Sequence, residues 1–220
     1  MAHNIENSKN TLTALLQKVQ DQAARSADFL APTNNLQKVT SENGAPGLVI
    51  EASRGVPTKH FKINDTAFGQ MATHAGIDTR TARRLQLGYS KQYDNLLNAI
   101  WDKEATVRMI RTHLNIEKEA GTVGDDGVVR AWVSDKFKTF DNSNLLESIL
   151  PPLMEKNLQV VSADLSEKRM YLRLKSLDQL GTGANVGDHM ANGIGFGNSE
   201  VGAGSVNVHQ IAWTLACLNG

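Results

Sequence analysis

Two stretches of the chain alternate cations and aromatic rings with aliphatic residues. In Arg169-Met-Tyr-Leu-Arg-Leu-Lys175, a period of two puts Arg169, Tyr171, Arg173 and Lys175 on one side of a strand, with Met170, Leu172 and Leu174 on the other. From Val128 onward, one side collects Arg130, Trp132, Ser134, Lys136 and, where the strand runs on, Lys138. Val129, Ala131, Val133 and Phe137 oppose them, and Asp135 breaks the pattern. Cations interleaved with rings on a sheet face suit a single-stranded nucleic acid, whose phosphates meet the charges and whose bases stack on the rings. The plainer alternative is the wet face of an antiparallel sheet, which carries Arg and Lys in any case.

A second pattern lies further on. Gly193, Gly195 and Gly197 alternate with Ile194 and Phe196, so a strand there has one face without side chains, and something must approach that face closely. Gly202 and Gly204 allow turns, and Ser205 or Asn207 caps an expected helix through Val208, Ile211, Ala212, Leu215 and Leu218. Free amides at such a helix start would favour an anion. Asn198, Ser199, Gly202, Gly204 and Ser205 are therefore candidate phosphate or loop contacts, as readily to a DNA backbone as to a nucleotide.

Enzymatic patterns are weaker. The surroundings of Ser199 do not match the Gly-x-Ser-x-Gly elbow. Glu200 is expected to satisfy loop amides or an arginine. His189 and His209 can approach each other across the terminal turn, but there is no HExxH and no CxxC. The glycines fit neither the dinucleotide fingerprint nor the P-loop. No catalytic residue, metal or cofactor is assigned; a nuclease or nucleotide-processing role for Glu200 and the histidines is the weakest reading kept.

The elements that must position these residues read as α+β. A helix is expected from Thr11 to Leu30, then a loop from Pro32 to Pro46, and short strands around Leu48–Ile50 and Phe61–Ile63. Asn64 or Asp65 and then Asp78 or Thr79 cap two helices around Gly76, with Arg80, Arg83 and Arg84 in the second, an outline resembling a helix-turn-helix. A third helix spans Tyr89 to Trp101. Strands follow at Thr106–Ile116 and Val128–Ser134, then a helix at Asn142–Met154 ended or kinked by Pro151 and Pro152, then strands at Gln159–Ala163 and Arg169–Leu177. The expected architecture is a helical N-terminal half, then a mainly antiparallel sheet of hairpins with a crossing helix and a terminal helix packed on it. Residues 1–46 would form a helix and loop, a possible oligomerisation arm; 47–104 a mostly helical subdomain; 105–220 the sheet core.

The 220 residues are 40% apolar, and 23 cations balance 23 anions, so any basic surface must arise by segregation. The lone cysteine, Cys217, sits in an apolar pattern and reads as a small core residue. One cysteine allows no intrachain disulfide, which fits a reducing cytosol; the expected location is the cytoplasm of a bacterial host. No secretory h-region or membrane-length apolar run is seen. The closing Asn219-Gly220 suits a helix C-cap or a longer protein cut at a loop.

Three segments together carry a resemblance: Ala131-Trp-Val-Ser-Asp-Lys-Phe-Lys-Thr-Phe-Asp-Asn142, Asn198-Ser-Glu-Val-Gly-Ala-Gly-Ser205 and Leu215-Ala-Cys-Leu-Asn-Gly220. Over residues 60–220 the chain resembles the phage- and plasmid-like family catalogued as domain of unknown function 932. The position usually holding Arg in the last helix is Thr214 here, so no contact is carried over to it. More distantly, the order of elements is similar to the single-strand annealing recombinases of the Red-beta type. That likeness implies an oligomeric ring or filament of a phage or mobile element, binding and annealing single-stranded DNA without ATP. Its implied partners are single-stranded DNA, further copies of itself, and a host or phage single-strand binding protein or exonuclease. The alternative is an accessory or assembly protein that oligomerises and binds protein only.

Overall fold

The computed structural model describes residues 2–52, 57–115, 124–177 and 189–215. The chain divides into two units, one made of residues 1–23 and 139–220, the other of residues 24–138.

The unit of residues 24–138 is built on a six-stranded sheet. Its strands are β1 (Ser26–Pro32), β2 (Leu36–Thr40), β3 (Pro46–Ile50), β4 (Lys59–Ile63), β5 (Val107–Leu114) and β6 (Gly127–Ser134), in spatial order β1-β5-β6-β4-β3-β2. All neighbours are antiparallel except β4 and β6, which are parallel. Helices α2 (Asp65–His74), α3 (Thr79–Gly88) and α4 (Ser90–Glu104) complete this unit. The Asn64 side chain caps α2 by accepting from the Ala67 amide, and Asp78 caps α3 by accepting from the Thr81 amide. Gly76 makes the turn between them at φ +71°. Leu48, Phe61, Phe68, Met71, Tyr93, Leu97, Trp101, Ile110, Val129 and Trp132 form one buried cluster.

The unit of residues 1–23 and 139–220 holds α1 (Ala2–Arg25, all but its last two residues), α5 (Asn142–Met154) and a four-stranded antiparallel sheet ordered β10-β9-β8-β7. These strands are β7 (Leu158–Leu165), β8 (Met170–Ser176), β9 (His189–Asn198) and β10 (Asn207–Leu215). Leu15 and Val19 of α1 and Leu145 and Leu146 of α5 share a buried cluster with Met170, Leu172, Leu174 and Phe196 of the sheet. Pro151 and Pro152 lie inside α5, which continues only to Met154.

The expected helical N-terminal half is overturned. Four strands, β1 to β4, lie between Ser26 and Ile63. The first helix stops at Arg25 because Ser26 onward pairs along β5, with Asp28 opposite Arg111 and held to it at 2.9 Å. The expected loop at 32–46 contains β2, which forms a hairpin with β3. The expected terminal helix is also overturned: Asn207–Leu215 is a strand in full register with β9, from Asn207 opposite Gly197 to Leu215 opposite His189. The helical spacing of Val208, Ile211 and Leu215 is outweighed by a ladder of hydrogen bonds to a neighbour that the spacing cannot reveal. Cys217 falls outside the described residues. No helix among the described residues is long and apolar enough to cross a membrane.

Candidate nucleic-acid interface

The alternation read in β8 is the alternation of burial. Met170, Leu172 and Leu174 are 0–4% exposed in the unit's core, whereas Arg173 is exposed and Tyr171 and Lys175 are half-buried on the opposite side. Pairing with β9 sets Tyr171 opposite Gly197, Arg173 opposite Gly195 and Lys175 opposite Gly193. Pairing of β9 with β10 continues each row: Gly197 faces Asn207, Gly195 faces His209 and Gly193 faces Ile211. Residues directly opposite each other in a ladder share a face. One side of this sheet therefore carries three rows, each running from a β8 polar or charged residue across a glycine to a β10 side chain.

The expected close approach to the bare glycine face is made by the chain itself. A side chain at Gly193 would meet the Leu174 carbonyl, and Trp213 Nε1 at 2.7 Å. One at Gly195 would meet the His209 imidazole, and one at Gly197 the Asn207 amide nitrogen at 2.8 Å. Glycine at these positions lets the β10 side chains lie down across β9. Reading residues 207–215 as helix hid this set. The signal was present as an alternative period of two, Asn207, His209, Ile211, Trp213.

At the Asn207 end lies a cleft of about 210 Å³ lined by Arg169, Tyr171, Asn198, Ser199, Gly204, Ser205 and Asn207. The Arg169 guanidinium donates through Nη1 to Tyr171 Oη at 2.9 Å, through Nε to the Ala203 carbonyl at 3.1 Å, and also through Nη2 to that carbonyl. Gly204 lies beneath it, where a Cβ would come within 3.0 Å of Nη2. Ser199 Oγ donates to the Lys168 carbonyl at 2.8 Å and accepts from the Ala203 amide at 2.9 Å. Asn198 Nδ2 donates to the Phe140 carbonyl at 2.8 Å and to Asn142 Oδ1 at 3.0 Å. Glu200, 7% exposed, accepts from the Asn142 amide at 2.7 Å, at the start of α5. It satisfies a backbone amide as expected, where the helix dipole also favours its charge. Asn198-Ser199-Glu200 thus ties the loop to α5 and to Lys168. Gly202 turns the loop at φ +72° and does not line the cleft. With β10 a strand, no helix start follows Ser205, so the expected helix-dipole anion site is not formed.

The β6 half of the expected face is overturned for two of its residues. A bulge between Arg111 and Thr112 shifts the register, so Ala131 pairs with Arg111 and Val129 with Thr112, leaving Arg130 as the extra residue. An inserted residue reverses the parity of everything beyond it. Trp132, opposite Ile110, joins the side that holds Val129, stacks on Trp101 at 4.8 Å and 20°, and is 3% exposed. Arg130 is 6% exposed. The strand ends at Ser134, so Lys136 and Lys138 are exposed residues of the following connection rather than of a sheet face. The strands β6 and β8 belong to different sheets in different units, so the eight residues are not carried on one sheet face.

Among the described residues, neither Arg173 nor Lys175 has an ion-pair partner, in contrast to Arg111 with Asp28 and Lys38 with Asp94. Asp164 of β7, opposite Tyr171, is the carboxylate on that margin. In the helix pair, Arg83 binds Asp65 at 3.2 Å and lies over the Phe68 ring, while Arg80 and Arg84 are exposed. Among the described residues, no three His, Cys, Asp or Glu side chains gather where a metal could sit. No protein-family model, curated protein or solved structure matches this chain.

Proposed function

We propose that the open face of the four-stranded sheet binds single-stranded DNA without ATP, and that the protein anneals complementary strands as an oligomer of a phage or mobile element. The observation that carries the binding step is the split of β8. Its aliphatic residues are sunk in the core, and Tyr171, Arg173 and Lys175 are turned out, in register with glycines that keep the neighbouring strand low. Arg173 and Lys175 offer charge to phosphates, and Arg169 stands at the cleft at one end. On this reading Tyr171 stacks on a base. Arg130 and Trp132 drop out of the interface, and Lys136 and Lys138 form no part of this face. Annealing, assembly into rings or filaments, the phage context, and a single-strand binding protein or exonuclease as partner rest on the resemblance described above.

The test is annealing of two complementary oligonucleotides, with and without ATP, by the wild type and by Arg169→Ala/Arg173→Ala. The wild type is expected to anneal without ATP and the double variant to lose both binding and annealing. Unchanged annealing by a folded double variant would refute the reading.

A second reading, a protein that self-associates and binds only protein, is favoured by one observation. Among the described residues β10 is the outermost strand of its sheet; Val208 on it is 59% exposed and Val206, just before it, is 43% exposed. An unpaired edge with exposed aliphatic residues is a template for pairing with another chain. Rings or filaments are expected on both readings, so only the oligonucleotide assay separates them.

A further inference from the structure

We infer that Trp213 and His209 form a base-stacking floor beside the cations of β8, so that a bound single strand lies with its phosphates over β8 and its bases over β9 and β10. This rests on the reading of the sheet face as a single-strand DNA site, and it assigns bases to residues that no pattern of cations would nominate. Three observations carry it. The indole of Trp213 and the imidazole of His209 lie against Gly193 and Gly195, where any side chain would collide with them. Trp213 Nε1 is buried with no hydrogen-bond partner among the described residues, and the residue as a whole is only half-buried. The His209 row ends in Arg173 and the Ile211 row in Lys175, both cations without an ion-pair partner among the described residues, and Trp213 stands one row further on, opposite Ala191, with its indole reaching back to Gly193. Consecutive rows on one face of a strand are about 7 Å apart.

Glycine in the middle of a strand weakens it, because it costs backbone entropy and contributes no side chain to pack. Alternate glycines in β9 are therefore explained by what lies over them. Rings held down on a glycine track leave a low surface that a base can cover, and the cations one strand away hold the phosphate side. Stacking accepts any base, since each has a π-face, and requires bases that are not already paired and stacked in a duplex. The occupant is thus an unpaired strand rather than a double helix.

The experiment uses the full chain with two labelled oligonucleotides of equal length, oligo-dT and its abasic counterpart, which has the same phosphates and no bases. Trp101 and Trp132 are 0% and 3% exposed in the other unit, so Trp213 is the tryptophan placed to report on a ligand among the chain's 3. Oligo-dT is expected to quench its emission, and Trp213→Phe is expected to abolish the quenching while keeping affinity for oligo-dT within about threefold. Trp213→Ala should weaken oligo-dT binding by about tenfold or more, the loss of one stacked base. It should leave abasic binding within about twofold and the salt dependence unchanged. Equal losses on both oligonucleotides, or no loss on either with the wild-type salt dependence intact, would overturn the stacking floor and leave the phosphate site standing. Failure of the wild type to bind either oligonucleotide would overturn both.

Discussion

Removing the Arg173 guanidinium should change how binding responds to salt by a calculable amount. Arg169, Arg173 and Lys175 are the cations on or beside the β8 face. Each phosphate neutralised on a single strand contributes about −0.7 to the slope of log affinity against log salt concentration, so three give a slope of about −2.1. Raising salt fourfold, from about 50 to 200 mM, then weakens wild-type binding about 18-fold. Arg173→Ala should leave a slope of about −1.4 and a loss of about sevenfold over the same range. Arg173 is exposed and has no ion-pair partner among the described residues, so the substitution exposes no buried charge and folding should be unaffected. Fluorescence anisotropy of a labelled oligo-dT over five or six salt concentrations would measure the slope. Lys136→Ala and Lys138→Ala, in the other unit, serve as controls and should leave it unchanged. An unaltered slope for Arg173→Ala, or an equal flattening by either control, would refute the placement of the phosphates along β8.

Three further outcomes follow from the packing. Lys38 Nζ sits 2.6 Å from Asp94 with a side chain 0% exposed, and burial pushes its pKa down against the opposing pull of Asp94. Asp94→Ala should cost about 3–5 kcal/mol in urea unfolding because it strands that charge, whereas Lys38→Met/Asp94→Leu should recover most of the loss. Gly193→Ala sets a methyl against the Leu174 carbonyl of the adjacent strand, and a melt should show about 1–3 kcal/mol of destabilisation. Gly195→Ala meets first the far end of the His209 side chain, which gives more readily than backbone, and should cost less. His113 is driven down to about 3 by burial first and then by Arg130, Arg25 and Arg111. Below pH 6.5 the unfolded chain takes up this proton and the folded chain does not, so stability should fall as pH drops from about 6.5 to 3. His113→Gln should flatten that part of the stability–pH profile, and an unchanged profile would show that His113 is not its source.

Several elements were legible in the residues because their determinants are local. The caps, read as Asn64 or Asp65 and Asp78 or Thr79 and found at Asn64 and Asp78, the helix at Asn142–Met154 and the split of β8 each depend on neighbours a few positions away. The role of Glu200 as an acceptor of a backbone amide was also readable, since a carboxylate in a glycine loop has few other partners. The β6 face was not legible. A single bulged residue, Arg130, reverses which side Trp132 occupies, and a bulge is fixed by the partner strand.

What the sequence determined alone is the chemistry of β8: period two forces Tyr171, Arg173 and Lys175 to one side once that segment is extended, with Arg169 in the turn just before it. It also determined that the glycines of β9 leave room for something to lie on them. Only the tertiary structure decided what that is. Residues 207–215 carry a helical spacing, and pairing with β9 overrides it in favour of a strand, which lays His209 and Trp213 on the glycines. Tertiary structure also put β6 and β8 into separate sheets, because strand partners are chosen over long chain separations that composition and spacing do not encode.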